Sequence, residues 1–295
     1  MSCPACFSGG VSKSHPTGTE TSIHGLPTYV AQPADGVTPE GIIVFITDAF
    51  GWDFVNNRVL ADHYAKRGGF LVYVPDFMNG NSLSPSVLAL MDKIMEPGSW
   101  LTTVVYKPAY VLQAAIRTIP WLIKTRVSVS KPRVFAYVQA LRTSPPPFRT
   151  DDLKIGAAGF CWGGKHAILL AHDTPSSRVQ RHPSQLTSTS STLSPLIDCC
   201  FTAHPSSIDV PADVDAITIP TSVAIGDSDM ALKTPLIQQM KRILEDKKRG
   251  DHEVVVMEGA KHGFAVRTHP DDVHEMECAE KAEVQAVEWF GKWFA

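Results

Sequence analysis

Short runs of uninterrupted apolar residues recur along this chain, separated by stretches with helical spacing. Six runs read as buried strands: residues 42–46, 71–74, 155–158, 199–202, 222–225 and 253–257. Continuous rather than alternating apolarity marks a strand of a parallel sheet, because helices cover both of its faces. Helical patterns fill residues 55–66, 104–123, 165–172 and 234–248, and a last helix is predicted over 271–294. That last segment has acids early and Trp289, Phe290, Trp293 and Phe294 at its end, an aromatic set expected to face the core. Residues 21–23 and 29–31 flank His24-Gly25-Leu26-Pro27 and predict a short hairpin. Strands alternating with helices predict an α/β fold, a doubly wound, mostly parallel sheet with helices on both faces.

Two stretches break the rhythm. Residues 127–149 hold a short helical candidate and end in Pro145-Pro146-Pro147, which reads as an insertion and linker. Residues 174–195 are dense in Ser and Thr and read as a flexible surface loop. The first 19 residues, rich in Gly, Ser and Thr, read as a flexible tail, and residues 20–295 as a single domain.

The strand at 155–158 runs into Gly159-Phe160-Cys161-Trp162-Gly163-Gly164, and a helix follows. This is a strand–turn–helix nucleophile elbow with sulfur in the place of the usual serine oxygen. A cysteine nucleophile needs a base, and the base an orienting acceptor. The expected chain order is nucleophile, acid, histidine, each following a strand. The chain supplies it: Gly226-Asp227-Ser228-Asp229 follows one strand, and Lys261-His262-Gly263-Phe264 follows the last. His262 is the predicted base, and Asp229 or Asp227 the acid, with Asp229 preferred. Of the oxyanion donors, one would be the Trp162 amide and the other the Ala49 amide, in the loop after the strand at 42–46. Apolar walls are expected from Phe50, Trp52, Phe77, Trp162 and Phe264, and His204 could line the pocket or simply turn the chain before Pro205.

Composition narrows the function without naming it. The chain has 295 residues, 44% hydrophobic and 19% charged, with a net charge of −3, values of a soluble globular protein. Neither a nucleic acid nor a membrane is expected as partner. No secretory signal is read at the N-terminus, so a cytoplasmic location is expected. The six cysteines are expected to be free thiols there. The pair Cys3 and Cys6 has no second pair to complete a zinc site, and neither a metal nor another cofactor is expected.

These segments together resemble the dienelactone hydrolase family, from about residue 19 to the end. The resemblance rests on Asp48-Ala49-Phe50-Gly51, Pro75-Asp76-Phe77, the Cys161 elbow, Ala203-His204-Pro205, Gly226-Asp227-Ser228-Asp229 and His262-Gly263-Phe264. It is closest to fungal members, through the Ser2-Cys3-Pro4-Ala5-Cys6 start and the stretch from Ile23 to Val30. It implies an α/β-hydrolase fold and a triad of Cys161, Asp229 and His262. It also implies that the acidic residue of the early loop, here Asp48 where bacterial members carry glutamate, restrains the thiol until substrate binds. Bacterial members clamp the substrate carboxylate with arginines; Arg267 lies near one such position, and no arginine follows Pro75-Asp76-Phe77-Met78-Asn79-Gly80 at the other. The expected activity is hydrolysis of a small ester or lactone by a monomer or homodimer. The alternatives are a pseudoenzyme acting as an interaction protein, a redox-sensing thiol, or other biosynthetic chemistry on the same scaffold.

Overall fold

The computed structural model describes residues 10–95, 98–186, 192–247, 251–268 and 272–295. Cys3 and Cys6, the ends predicted at 248 and 271, and part of the Ser/Thr-rich stretch lie outside them. Eight strands form one sheet: β1 (Thr19–Ile23), β2 (Leu26–Ala31), β3 (Ile42–Ile46), β4 (Leu71–Pro75), β5 (Ile155–Phe160), β6 (Cys199–Ala203), β7 (Thr221–Gly226) and β8 (His252–Met257). Their spatial order is β1-β2-β4-β3-β5-β6-β7-β8. The predicted hairpin is β1 and β2, which pairs antiparallel with β4, and every pair from β4 to β8 is parallel.

The helices are α1 (Val55–Gly68), α2 (Ser86–Met95), α3 (Lys107–Lys124, preceded by a π-helical turn Thr102–Tyr106), α4 (Val127–Thr143), α5 (Trp162–Ala171), α6 (Ala212–Asp215), α7 (Thr234–Asp246) and α8 (Val273–Phe294). Strand residues alternate between two apolar layers. Ile43 and Phe45 of β3 point to the layer filled by α1 and α8, where Tyr64, Phe70, Phe290 and Phe294 meet. Ile42, Val44 and Ile46 point to the layer filled by α4, α5 and α7. Both faces of the central strands β3 to β7 are covered, which is why they read as mostly apolar runs, whereas β1 at the edge is exposed and polar.

Three expectations change. Where only a short helical candidate was expected, residues 127–143 form the full-length helix α4, whose Val134, Tyr137, Val138 and Leu141 are buried against the sheet. Pro132 inside the helix and the Ser- and Lys-rich first turns dilute its period in the sequence. The described residues 174–186 are held down too: buried Gln185 donates to the carbonyls of Leu141 and Ser144, both at 2.6 Å. Of the predicted tail, residues 12–18 are tied to α1, with Ser12 N–H on Asn56 at 2.8 Å and Thr17 N–H on Asp62 at 2.6 Å. Helix α2 lies in a segment for which no element was predicted. Among the described residues no helix is long and apolar enough to cross a membrane.

Candidate active site

The loops leaving the carboxyl ends of β3, β5, β6, β7 and β8 meet at one place, where open parallel sheets bind their ligands. Cys161 occupies the turn between β5 and α5 with φ +50° and ψ −111°, a conformation that a non-glycine residue holds only under constraint. The constraint is visible around it. Cys161 N–H donates to Ala203 at 3.3 Å, and its carbonyl accepts from Gly164 at 3.1 Å and Ser206 at 3.0 Å. The glycines of the motif are required by close packing. A Cβ on Gly163 would come within 2.0 Å of the Ile46 carbonyl oxygen, and one on Gly159 within 2.6 Å of the Gly163 carbonyl. α5 thus starts directly against the end of β3, with its first amides beside the thiol.

The two candidate acids separate cleanly. Asp229 lies on His262: Nδ1 sits 2.9 and 3.0 Å from the two carboxylate oxygens, and both side chains are wholly buried. Asp229 also accepts from Ala231 N–H at 2.7 Å, which fixes its orientation. Asp227 instead accepts from Gly259 N–H at 2.8 Å and ties the two loops together from the outside. The loops touch closely because Gly226 has no side chain: a Cβ there would meet the Ala260 carbonyl oxygen at 1.9 Å.

His262 Nε2 has no nitrogen or oxygen partner among the described residues. The neighbour acting on it is the Cys161 sulfur. Burial disfavours protonation of His262, but the charge on Cys161 and hydrogen bonds to Asp229 and Cys161 outweigh it and raise its pKa to about 10. His204 contrasts with it. Its ring stands edge-on to His262 at 5.1 Å and to Phe264 at 5.6 Å. Burial drives its pKa well below the usual histidine value, seconded by the charges of His262 and Arg267, so His204 is neutral.

Asp48 and Arg267 form a fully buried ion pair. Asp48 also accepts from Asn57 Nδ2 at 3.0 Å and from Phe50 N–H at 3.1 Å. Burial raises the Asp48 pKa, the guanidinium lowers it, and the charge on Cys161 raises it again; the net direction is upward. The guanidinium also lies over the Phe50 ring at 5.2 Å and against Gly263, where a Cβ would collide with it at 2.2 Å. Arg267 therefore spends its charge on Asp48 inside the site, where a substrate clamp would hold it open.

Not every predicted wall residue is at the site. Phe77 is core, edge-on to Tyr137 at 5.4 Å in the layer of α4 and α5. Trp52 is half-buried beneath the Arg58 guanidinium, 4.8 Å from its ring. Phe50 and Phe264 are buried beside Arg267 and His204. Trp162 follows the thiol and ties the elbow to the end of α3 by donating from Nε1 to the Thr125 carbonyl at 2.9 Å. Ala49 is buried in the loop after β3, where its neighbour Phe50 gives its amide to Asp48 and Gly163 gives its own to Thr47. Two residues were missed by sequence reasoning. Ser206, whose Oγ lies 3.7 Å from the Cys161 sulfur, carries no motif beyond following β6. Asn57 of α1 steadies Asp48, with no signal but its place in the first turn of a helix. Among the described residues no cluster of His, Cys, Asp and Glu could hold a metal ion.

Known proteins point the same way. A hydrolase of Aspergillus violaceofuscus, pyvD, is 25% identical over 98% of this chain and 95% of its own length. Dienlactone hydrolase 1 of Gibberella moniliformis is 22% identical over 98% of this chain and 93% of its own. The crystal structure of dienelactone hydrolase from Anabaena variabilis shares the fold, with a TM-score of 0.57 and 16% identity over 94% of this chain and 97% of that one. The sequence model of the dienelactone hydrolase family matches residues 26–294, and the chain belongs to that family.

Proposed function

We propose that the protein hydrolyses small esters or lactones with Cys161 as nucleophile, through an acyl-thioester. The observation that carries this reading is the buried relay. Cys161 is held in a left-handed turn at the start of α5, and His262 faces it while bound through Nδ1 to Asp229. A pKa raised to about 10 keeps the proton on His262 at neutral pH, and the charge on Cys161 is among the causes that raise it. In this reading the nucleophile attacks as a thiolate beside an imidazolium.

The sulfur attacks the carbonyl carbon, and the carbonyl π pair moves to oxygen. The amides of Ala49 and Trp162 hold that oxyanion. Collapse expels the alkoxide, which takes the His262 proton; in a lactone it stays tethered to the acyl group. Neutral His262 then deprotonates a water that attacks the thioester, and the thiolate leaves. Asp229 holds the ring orientation and stabilises the imidazolium. The space is narrow: Cys161 is only 4% exposed, Ser206 Oγ lies 3.7 Å from its sulfur, and the His262 ring is met edge-on by neutral His204, itself against Phe264. Such walls favour a compact, largely uncharged acyl group, and the names of the Gibberella relatives support a lactone.

The test is burst and steady-state hydrolysis of p-nitrophenyl acetate, followed by a lactone panel. Wild type should turn over, Cys161→Ala should show neither burst nor turnover, and Asp229→Asn should lose about 10³–10⁴ in kcat. Asp227→Asn should stay within a few-fold of wild type. Full activity in Cys161→Ala would refute the proposal.

A further inference from the structure

Helix α3 is turned the wrong way for an ordinary surface helix. Toward its own chain it buries Ala114, Thr118 and Trp121. Its large aliphatic residues look outward: Leu112, Ile116, Ile119 and Ile123 are 54–63% exposed, and Val105 in the preceding turn is 51% exposed. Surface helices place such residues against the core and polar ones outside. From Trp100 to Ile123, eleven large apolar side chains are between 41 and 76% exposed. They present on the order of 1,000 Å² of apolar surface, where a standard interface buries about 800 Å² per partner. The largest apolar patch of a typical monomer is about 300–600 Å².

The order of the exposed residues specifies what covers them. Within α3, Ala109, Leu112, Ile116, Ile119 and Ile123 are spaced 3, 4, 3 and 4 apart, the 3.5-residue period of a seam between two helices, and Val105 precedes them in the π-helical turn. The seam is also symmetric about the level of Ala114. An antiparallel copy crossing there sets Val105 against the partner's Ile123, Ala109 against the partner's Ile119 and Leu112 against the partner's Ile116. The smallest residue thus meets a large one. A two-fold interface must be self-complementary in this way.

Charge agrees with the antiparallel direction. Residues 97–150 contain no Asp or Glu but eight Lys and Arg, so the seam's flanks must avoid like-charge contacts. In this arrangement Arg117 lies opposite the partner's Val111 and Lys124 opposite the partner's Val104. A helix lying on a bilayer needs an apolar arc and basic flanks but no such period. We infer that the outward face of α3 is a homodimer interface, closed by α3 of a second copy in antiparallel two-fold register.

Light scattering after gel filtration at micromolar concentration should give twice the 32.2 kDa chain mass. Leu112→Glu and Ile116→Glu should each weaken association about 100-fold or more, as changes at an interface centre do, and run as monomers. Both positions are exposed, so circular dichroism and Tm should show folded chains. Val37→Glu, at an exposed loop position outside the face, should remain dimeric. A mixture of Leu112→Cys and Ile116→Cys chains should cross-link on oxidation faster than either chain alone, which tests the register. A wild-type monomer would overturn the inference. So would sedimentation of monomer with phosphatidylglycerol-containing vesicles, or preferential cross-linking of Leu112→Cys to itself.

Discussion

The buried pair of Asp48 and Arg267 allows a quantitative test of the electrostatics around the thiol. Arg267→Met keeps the length of the side chain but leaves the Asp48 carboxylate in a dry site with, among the described residues, Asn57 Nδ2 and Phe50 N–H as hydrogen-bond donors. Breaking a buried ion pair on one side costs about 3–5 kcal/mol, because the remaining charge is uncompensated. Asp48→Asn removes the buried counter-charge of the guanidinium and should cost less, because the amide oxygen still accepts a hydrogen bond. The double variant leaves neither charge, and apolar replacement of a whole buried pair is often nearly neutral. Urea unfolding should therefore give a coupling energy of about 3 kcal/mol between the two sites. The sulfur provides a second readout. Asp48→Asn removes a negative charge near Cys161 and leaves a positive one, so alkylation by iodoacetamide should become faster at mildly acidic pH. Arg267→Met leaves the negative charge alone and should make it slower. Additive stability losses would refute the buried pairing. A change of alkylation rate in the same direction in both variants would refute the electrostatic restraint of the thiol.

Two further outcomes follow from the site's geometry. Gly163→Ala should cost more than about 3 kcal/mol or abolish folding, since its Cβ would lie 2.0 Å from a backbone oxygen that cannot move, whereas Gly291→Ala in α8 meets nothing within 4 Å and should raise Tm slightly. His262 has a higher proton affinity in the native chain than the 6.5 expected unfolded, so its protonation contributes stability fully below about pH 6.5 and loses it as pH rises through about 10. The stability gap between wild type and His262→Phe, measured by urea unfolding, should narrow from neutral pH to pH 10; a widening gap would contradict the raised affinity.

Local patterns carried the sheet and the order of the site because each depends on short-range facts. Strands β3 to β7 are buried on both faces, so their residues are mostly apolar, with Thr202, Thr221 and Ser222 as buried polar exceptions. Cys161, Asp229 and His262 each close a strand, so their order along the chain was readable from turn residues. The choice between Asp229 and Asp227 was not, because it depends on Gly226 approaching Ala260 across two loops. The pairing of Arg267 with Asp48 spans 219 residues and has no periodic signature. Helix α4 was legible only as a short candidate, because Pro132 and polar residues in its first turns dilute its period.

Helix α3 shows a different limit. Periodicity reveals that a helix has an apolar face, and that part was legible over residues 104–123. It assigns the cover to the same chain by default. Here the residues that meet the rest of the chain are a small, a polar and one aromatic side chain, while the aliphatic seam faces out. The stripe toward the core is built to fit close to α2 and the elbow, since the carbonyl of Thr125 at its end holds Trp162 beside the thiol. The outer seam has the spacing to fit another helix. A segment with two apolar stripes of different character has two covers to satisfy, and only one of them is supplied by the described chain. Burial of the second by another copy would also clamp the end of α3 that holds Trp162, linking the assembly of the protein to the geometry of its elbow.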